Sequence, residues 1–381
     1  MREEKGKKIR YNYDHFMLLS LIFLTAFGLV MIYSSSSYTA QVRLEKEPTY
    51  YLFRQAKVAL VGLVGMVIIS TIDYRVFFKL SIPALFIAYL LCAVVMVIGK
   101  EFNGKKRWIG VGGFTIQPSE FAKLALILFL SYMITVLGKE INSLRGVFKI
   151  VAFTFPLILL VAVSNLSAGI ILLSIVGTLI FVSTRIKWPF ILLGISGLSF
   201  LRFGPQFLPD ILPEISFLSD YQKMRILVWM DPEKYANDGG FQVLQGIYAI
   251  GSGGLRGKGL GESMQKLGII PEAQNDMIFS IICEELGLFG AVTVIIVFLF
   301  LLYRCTAIAD SAPDMYGGLL VSGVMAHIGV QVVLNIAVVT GIVPNTGITL
   351  PFISYGGSSV LFLMAEMGLV LGVARQIKIE Y

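Results

Sequence analysis

Charge is what this sequence has least of. Of its 381 residues, 14% are Asp, Glu, Lys or Arg, against about 25% in an average soluble domain. The uncharged stretches are too long and too many to be hidden inside soluble cores, so an ordinary soluble globule is excluded. A disordered chain is excluded as well, because 56% of the residues are hydrophobic. Cysteine is also scarce. Cys92, Cys283 and Cys305 sit at no metal-ligand spacing; they rule out a disulfide scaffold and say nothing about compartment. The two histidines, His15 and His327, lie in separate apolar runs, where each reads as a satisfied core histidine. What is abundant is apolar length: mean hydropathy is +0.80, and the chain reads as a multispanning membrane protein. Its formal charge of +7 then points to anionic lipid head groups or phosphates as what the basic loops meet, and not to nucleic acid.

Crossing a hydrocarbon core about 30 Å thick takes about 20 mostly apolar helical residues. Uncharged windows at 15–42, 58–72, 80–99 and 124–138 give four spans. The first follows a basic start and is too long for a signal-peptide core. Residues 150–184 are uncharged and broken by SNLSAG at 164–169, which reads as a tight hairpin between spans five and six. Residues 188–201 supply a seventh. From 202 to about 274 the apolar runs fall below ten residues and charge, proline and glycine rise, so this stretch is expected to be a large loop outside the bilayer. Residues 286–303 give an eighth span, and 315–365, with no Asp, Glu, Lys or Arg, hold two more. The expected fold is all-α: ten transmembrane helices in one membrane domain over 1–381, both termini cytoplasmic, with the loop 202–274 extracytoplasmic between helices seven and eight. Under this topology the outer loops keep Arg43, Lys46, Arg54, Lys57, Lys105, Lys106 and Arg107, cations that need a function.

Four segments converge on that outer face. In FNGKKRWIGVGGFTIQPSEFAKLAL, 102–126, Pro118 suits a helix's first turn, and Glu120 and Lys123 share one helix face behind Arg107 and Trp108. A membrane anchor with a Glu–Lys support pair is the plainer alternative. AIGSGGLRGKGLGES, 249–263, has six glycines between Gly251 and Gly261 beside Arg256 and Lys258. Such backbone can cradle a phosphate or form a flexible turn; it is neither a Walker A motif nor G-x-G-x-x-G. In QKLGIIPEAQNDMIFSIICEELGLFG, 265–290, Asp276 stands at a loop-to-helix boundary, as a functional carboxylate or as an N-cap, with Glu284 and Glu285 about two turns deeper. GIVPNTGITLPFISYGGSS, 341–359, reads as a re-entrant or tightly folded loop.

As an ordered set these motifs, with the opening FGLVMIYSSSS and with GGFQVLQGIYAIGSGG, resemble the SEDS family (shape, elongation, division and sporulation), the membrane peptidoglycan glycosyltransferases typified by RodA and FtsW. The resemblance spans nearly the whole chain. QKLGIIPEAQNDMIF is more similar to the division and sporulation branch than to the elongation branch. Two departures stand out. The family's Pro-Asp-Leu-Gly hairpin is Asn165, Leu166, Ser167 and Ala168 here, and its Thr-Asp-Phe is Asn275-Asp276-Met277.

The resemblance implies ten spans, polymerisation of lipid II into glycan strands at the outer face, and Asp276 as catalytic base. Residues expected to bind the lipid-pyrophosphate sugar are Arg107, Trp108, Gln117, Ser119, Glu120, Lys123, Ser252, Gly253, Arg256, Lys258, Ser354 and Tyr355. Asp276 and Glu120 are the candidate ligands of a divalent cation, Mg or Mn. A class B penicillin-binding protein and other divisome proteins are the implied partners, in a bacterial cytoplasmic membrane. The alternatives are an elongation polymerase of the RodA type, a lipid II flippase and a noncatalytic division scaffold. Against a transporter, the distinctive residues gather at the outer face and no inverted repeat is visible.

Overall fold

The structure, a computed structural model, describes residues 13–102, 105–111, 114–211, 220–267 and 269–377. Twelve helices dominate it. Six come first: α1 (His15–Leu44), α2 (Tyr50–Thr71), α3 (Arg75–Ile98), α4 (Pro118–Leu137), α5 (Leu144–Ser164) and α6 (Leu166–Ser183). They are followed by α7 (Trp188–Ile211), α8 (Asp220–Met230), α9 (Gly240–Gly253), α10 (Ile278–Asp310), α11 (Met315–Val339) and α12 (Gly357–Arg375). Among the described residues nine are long and apolar enough to cross a membrane. α7 supplies a shorter apolar stretch, Trp188–Gly204, where the sequence places the seventh span. α8 and α9 lie inside the stretch read as loop.

Helix ends follow local chemistry. The Asp14 carboxylate accepts from Met17 N at 2.9 Å to cap α1, and Asn165 accepts from Ala168 N at 3.3 Å to cap α6. α12 packs along α2, α3 along α4, and α10 runs between α11, α9 and α1. α11 and α12 are the most enclosed spans, 67% and 72% of the crossing window being buried against 28% for α2, α3 and α10, so the polar residues of α11 and α12 have only protein to answer them. At the end opposite the loop before α10, ion pairs staple the bundle: Arg304 to Asp14 at 2.6 Å and Arg75 to Asp314 at 3.1 Å.

The connection between α3 and α4 is a small antiparallel sheet of β1 (Lys100–Phe102), β2 (Lys105–Val111) and β3 (Phe114–Ile116), in the order β1-β2-β3. Lys100 pairs with Trp108, and Ile109 with Ile116. These strands depart from the all-α expectation. The signals that mark them are Asn103-Gly104 and Gly112-Gly113, turn dipeptides between alternating residues.

Candidate active site

Asp276 sits in the turn that leads into α10. The helix takes Met277 as its N-cap with no side-chain cap, so Asp276 is one residue short of the capping position. Its side chain is partly buried. Burial pushes the carboxyl up to about 6; its own and Met277's backbone N–H pull it down, Glu272 raises it and Arg225 lowers it. Asp276 therefore titrates just below neutrality.

The loop 341–356 forms the opposite wall. At Gly347, with φ at +70°, a Cβ would stand 3.8 Å from Asp276 Oδ2 and 4.0 Å from each terminal nitrogen of Arg225. Backbone without a side chain thus lets an aspartate on one segment and an arginine on α8 approach a common point. Arg225 was missed in the sequence, where nothing distinguishes it from other basic residues of the long loop.

Side chains from four helices hold this loop. Asn335 on α11 donates to Asp276 O at 2.8 Å and to Ile348 O at 2.7 Å, joining the two walls. Gln331, one turn earlier, donates to Thr349 O at 3.0 Å, and Ser167 on α6 to Thr346 O at 2.6 Å. Gln55 on α2 donates to Ser354 O at 3.4 Å, and Trp229 on α8 to Gly341 O at 3.0 Å. Ser167 belongs to the hairpin that departs from the family pattern, and here its hydroxyl is a loop anchor.

Glu120 and Lys123 form the expected pair, Nζ to Oε1 at 2.9 Å, with both side chains buried. Lys123 also donates to Gln331 Oε1 at 3.4 Å. Lys123 and Asp276 are thus linked through Gln331 and Asn335, residues four apart on α11. Arg107, on β2, donates from Nε to Ser164 O at 2.8 Å, at the α5–α6 hairpin that also carries Ser167. Trp108 follows it on the sheet, partly exposed. Gln117 donates to Ser119 Oγ at 2.9 Å at the start of α4. Ser354 Oγ accepts from Leu350 N at 2.8 Å, and Tyr355 stacks edge-on against Tyr51 with ring centroids 5.1 Å apart, its N–H donating to Gln274 O. Ser354 and Tyr355 therefore shape the loop from within.

The remaining expected residues form a second cluster. Lys258 pairs with Glu284 at 2.7 Å, and Ser252 donates to the same carboxylate at 3.5 Å. At Gly253 a Cβ would overlap Cys283 O, which fixes how closely α9 approaches α10. Arg256 is exposed. Among the described residues no group of three or more His, Cys, Asp or Glu is suited to a metal. A cavity of about 400 Å³ opens between α1 and residues 260–267; its lining includes Ser34, Tyr38 and Lys266 but neither Asp276 nor Lys123.

A family model described as "Cell cycle protein", covering FtsW, RodA and SpoVE, matches residues 14–379. The chain is 37% identical over 366 residues to "Stage V sporulation protein E" of Bacillus subtilis, with 95% of this chain and 97% of that one covered. It is also 37% identical over 373 residues to "Probable peptidoglycan glycosyltransferase FtsW" of Trichlorobacter lovleyi, covering 97% and 94%. Among solved structures it resembles a chain of "a peptidoglycan synthase complex" solved for its coordination of polymerization and crosslinking, with TM-score 0.76, 29% identity and coverage of 95% and 98%. It likewise resembles the rod shape determining protein RodA of Thermus thermophilus, with TM-score 0.69, 27% identity and coverage of 97% and 98%.

Proposed function

Because the chain belongs to the FtsW, RodA and SpoVE family of cell cycle proteins, we propose that it is a peptidoglycan glycosyltransferase that polymerises lipid II at the outer face of the cytoplasmic membrane, for division or sporulation septa. The observation that carries this is Asp276. It is a partly buried carboxylate titrating near 6, at a wall it shares with Arg225 and Gly347.

In an inverting transfer the acceptor's GlcNAc 4-hydroxyl attacks the anomeric carbon of the donor MurNAc, and the lipid pyrophosphate departs. Asp276 takes the hydroxyl proton as the new glycosidic bond forms. With a pKa near 6 it is ionised at neutral pH yet basic enough to accept that proton. Arg225 beside it and Arg107 on the sheet are the cations to meet the growing negative charge of the leaving group. The buried Lys123, paired with Glu120, is tied to the loop wall through Gln331, which donates to Thr349 O.

A divalent cation, Mg or Mn, would take Asp276 as its carboxylate ligand, with Glu120, whose Oε1 already meets Lys123 at 2.9 Å, as the second, since such ions are commonly held by one or two carboxylates. When bound it would neutralise charge on the departing pyrophosphate. Both termini are cytoplasmic in this reading, and the loop region 202–274 lies outside. A class B penicillin-binding protein and further divisome proteins are the partners, by analogy with the synthase complex.

The test is glycan-strand formation from lipid II by the purified protein, together with a penicillin-binding protein whose transpeptidase is inactivated. Wild type should give polymer and Asp276→Asn none at equal folding. Polymer from both would remove Asp276 as base. Polymer from neither, with lipid II flipped across liposomes, would replace this reading with the flippase.

A further inference from the structure

α11 and α12 share a buried histidine–glutamate pair that the mechanism above does not use. His327, 1% exposed, places Nδ1 2.7 Å from Glu366 Oε2, and Glu366 is fully buried. The other ring nitrogen, Nε2, lies 2.9 Å from Gln331 Oε1. The far end of that amide is committed, because Gln331 Nε2 donates to Thr349 O. Its oxygen therefore faces the imidazole and Lys123 Nζ together. Nε2 faces an amide oxygen and so donates to it, while one proton is shared between Nδ1 and Glu366 Oε2. Glu120, Lys123, His327 and Glu366 then form a run with Gln331 at its centre whose charges sum to zero whether the shared proton sits on the ring or on Glu366. A neutral sum is what makes such a run tolerable inside a membrane protein.

We infer that the His327–Glu366 pair is a positioning device for the proposed active site. A glutamine amide rotates readily, and reversing it would turn an N–H toward Lys123 and an oxygen toward the Thr349 carbonyl, two repulsive contacts. By donating to Oε1, His327 locks the productive orientation, and Glu366 locks the ring. Gln331 then fixes Lys123 and the loop carbonyl at 349 at once. The neighbouring carbonyl at 348 is tied through Asn335 to the backbone of Asp276. His327 touches no reacting atom; it acts through Gln331 on the distance between the loop wall and the aspartate. The inference rests on the reading of Asp276 as base.

The experiment is a mutant cycle on lipid II polymerisation with His327→Leu, Gln331→Leu and the double variant, alongside amide hydrogen exchange across 346–350 without substrate. Each single variant is expected to lower kcat by about tenfold or more, since small misplacements of catalytic groups cost that much, while KM stays within about threefold. The double variant should be no slower than the worse single one, because both act through one contact. Loop amides should exchange faster in both singles. Unchanged kcat in folded His327→Leu, or losses that multiply in the double variant, would overturn the inference. Where the leucine variants do not fold, His327→Gln with Glu366→Gln, which leaves no unmatched buried charge, enters the same cycle. Should wild type make no polymer, the functional reading fails, and exchange at 346–350 alone decides the positioning role: unchanged protection ends it.

Discussion

Three acids enter the bundle within ten residues of α10 and its preceding turn, and they meet opposite fates. Glu284 and Glu285 are fully buried and saturated. Glu284 takes Lys258 at 2.7 Å, the Ser263 hydroxyl, and the Met264 and Gln265 N–H groups; Glu285 takes Lys266 at 2.7 Å and Ser34 of α1 at 2.7 Å. Asp276 is held by backbone amides at a partly open wall, with its carboxyl pushed upward. A carboxylate whose lone pairs are all filled by fixed donors is a staple; one left strained by desolvation is ready to take a proton.

The glycine-rich segment belongs to the staple side for a backbone reason. Gly287 breaks α10 with φ 65° and ψ −164°. A continuous helix would join Leu288 N to Glu284 O and Phe289 N to Glu285 O. Here Lys258 N and Gly259 N donate to those carbonyls, while Leu288 N and Phe289 N donate to Gly254 O and Leu255 O. The segment is spliced into the helix ladder, and the splice needs glycine: a Cβ at Gly257, where φ is +78°, would overlap Glu285 O. The amides of Lys258 and Gly259 are therefore not open to a phosphate, whereas the exposed Arg256 side chain is.

The strongest test of this contrast is Asp276→Asn. It is expected to lower kcat about a thousandfold, the usual scale for a general base, with no loss of thermal stability, because the neutral amide avoids the desolvation that raises the acid's pKa. A large drop in Tm would make Asp276 a third staple and erase the contrast. Next in size, Lys266→Met leaves Glu285 charged and buried and should destabilise by about 3 kcal/mol, measured by thermal unfolding in detergent. Adding Glu285→Gln should recover much of that. If Lys266→Met is neutral, the clamp is ornamental.

The pH profile separates the two regions more finely. Asp276 is raised from the usual 3.8 to about 6, so it is protonated below about pH 6. The rate should fall about tenfold per pH unit there and level off above about pH 7. The same shift has the opposite sign for stability. Ionising Asp276 is harder in the folded protein than in the unfolded one, so its contribution to stability declines as pH rises from about 4 to 6. A flat rate between pH 5 and 7, with folding intact, would take the base role from Asp276.

Much of this was legible from length alone. Spans such as α6 and α11 carry no Asp, Glu, Lys or Arg, and a mostly apolar run of about 20 residues has few other stable states. Asp276 stood out because an acid at the mouth of such a run is costly. Short strands and helices carry less signal: β1 and β3 have three residues each, and α8 and α9 are broken by charge and glycine into runs that read as loop. His327 read as a satisfied core histidine, and it is one, but its partner Glu366 stands one residue past the uncharged run ending at Ala365, and nothing local links them. Arg225 is similar, since its meaning lies in a turn of the loop at Gly347, more than a hundred residues away.

The smallest effect expected is that of Arg256→Ala. Its side chain is exposed on the spliced segment, so stability should change by less than about 0.5 kcal/mol. If the segment is scaffold whose outer surface still meets the pyrophosphate, KM for lipid II should rise by about threefold, kcat should hold, and added salt should narrow the difference, as for an exposed ionic contact. A matching loss in kcat would place Arg256 in the transition state beside Arg225. The glycine-rich segment would then have two faces: an inner one sealed into α10 and an outer one acting on the leaving group, and the division between staple and site would run through a single loop.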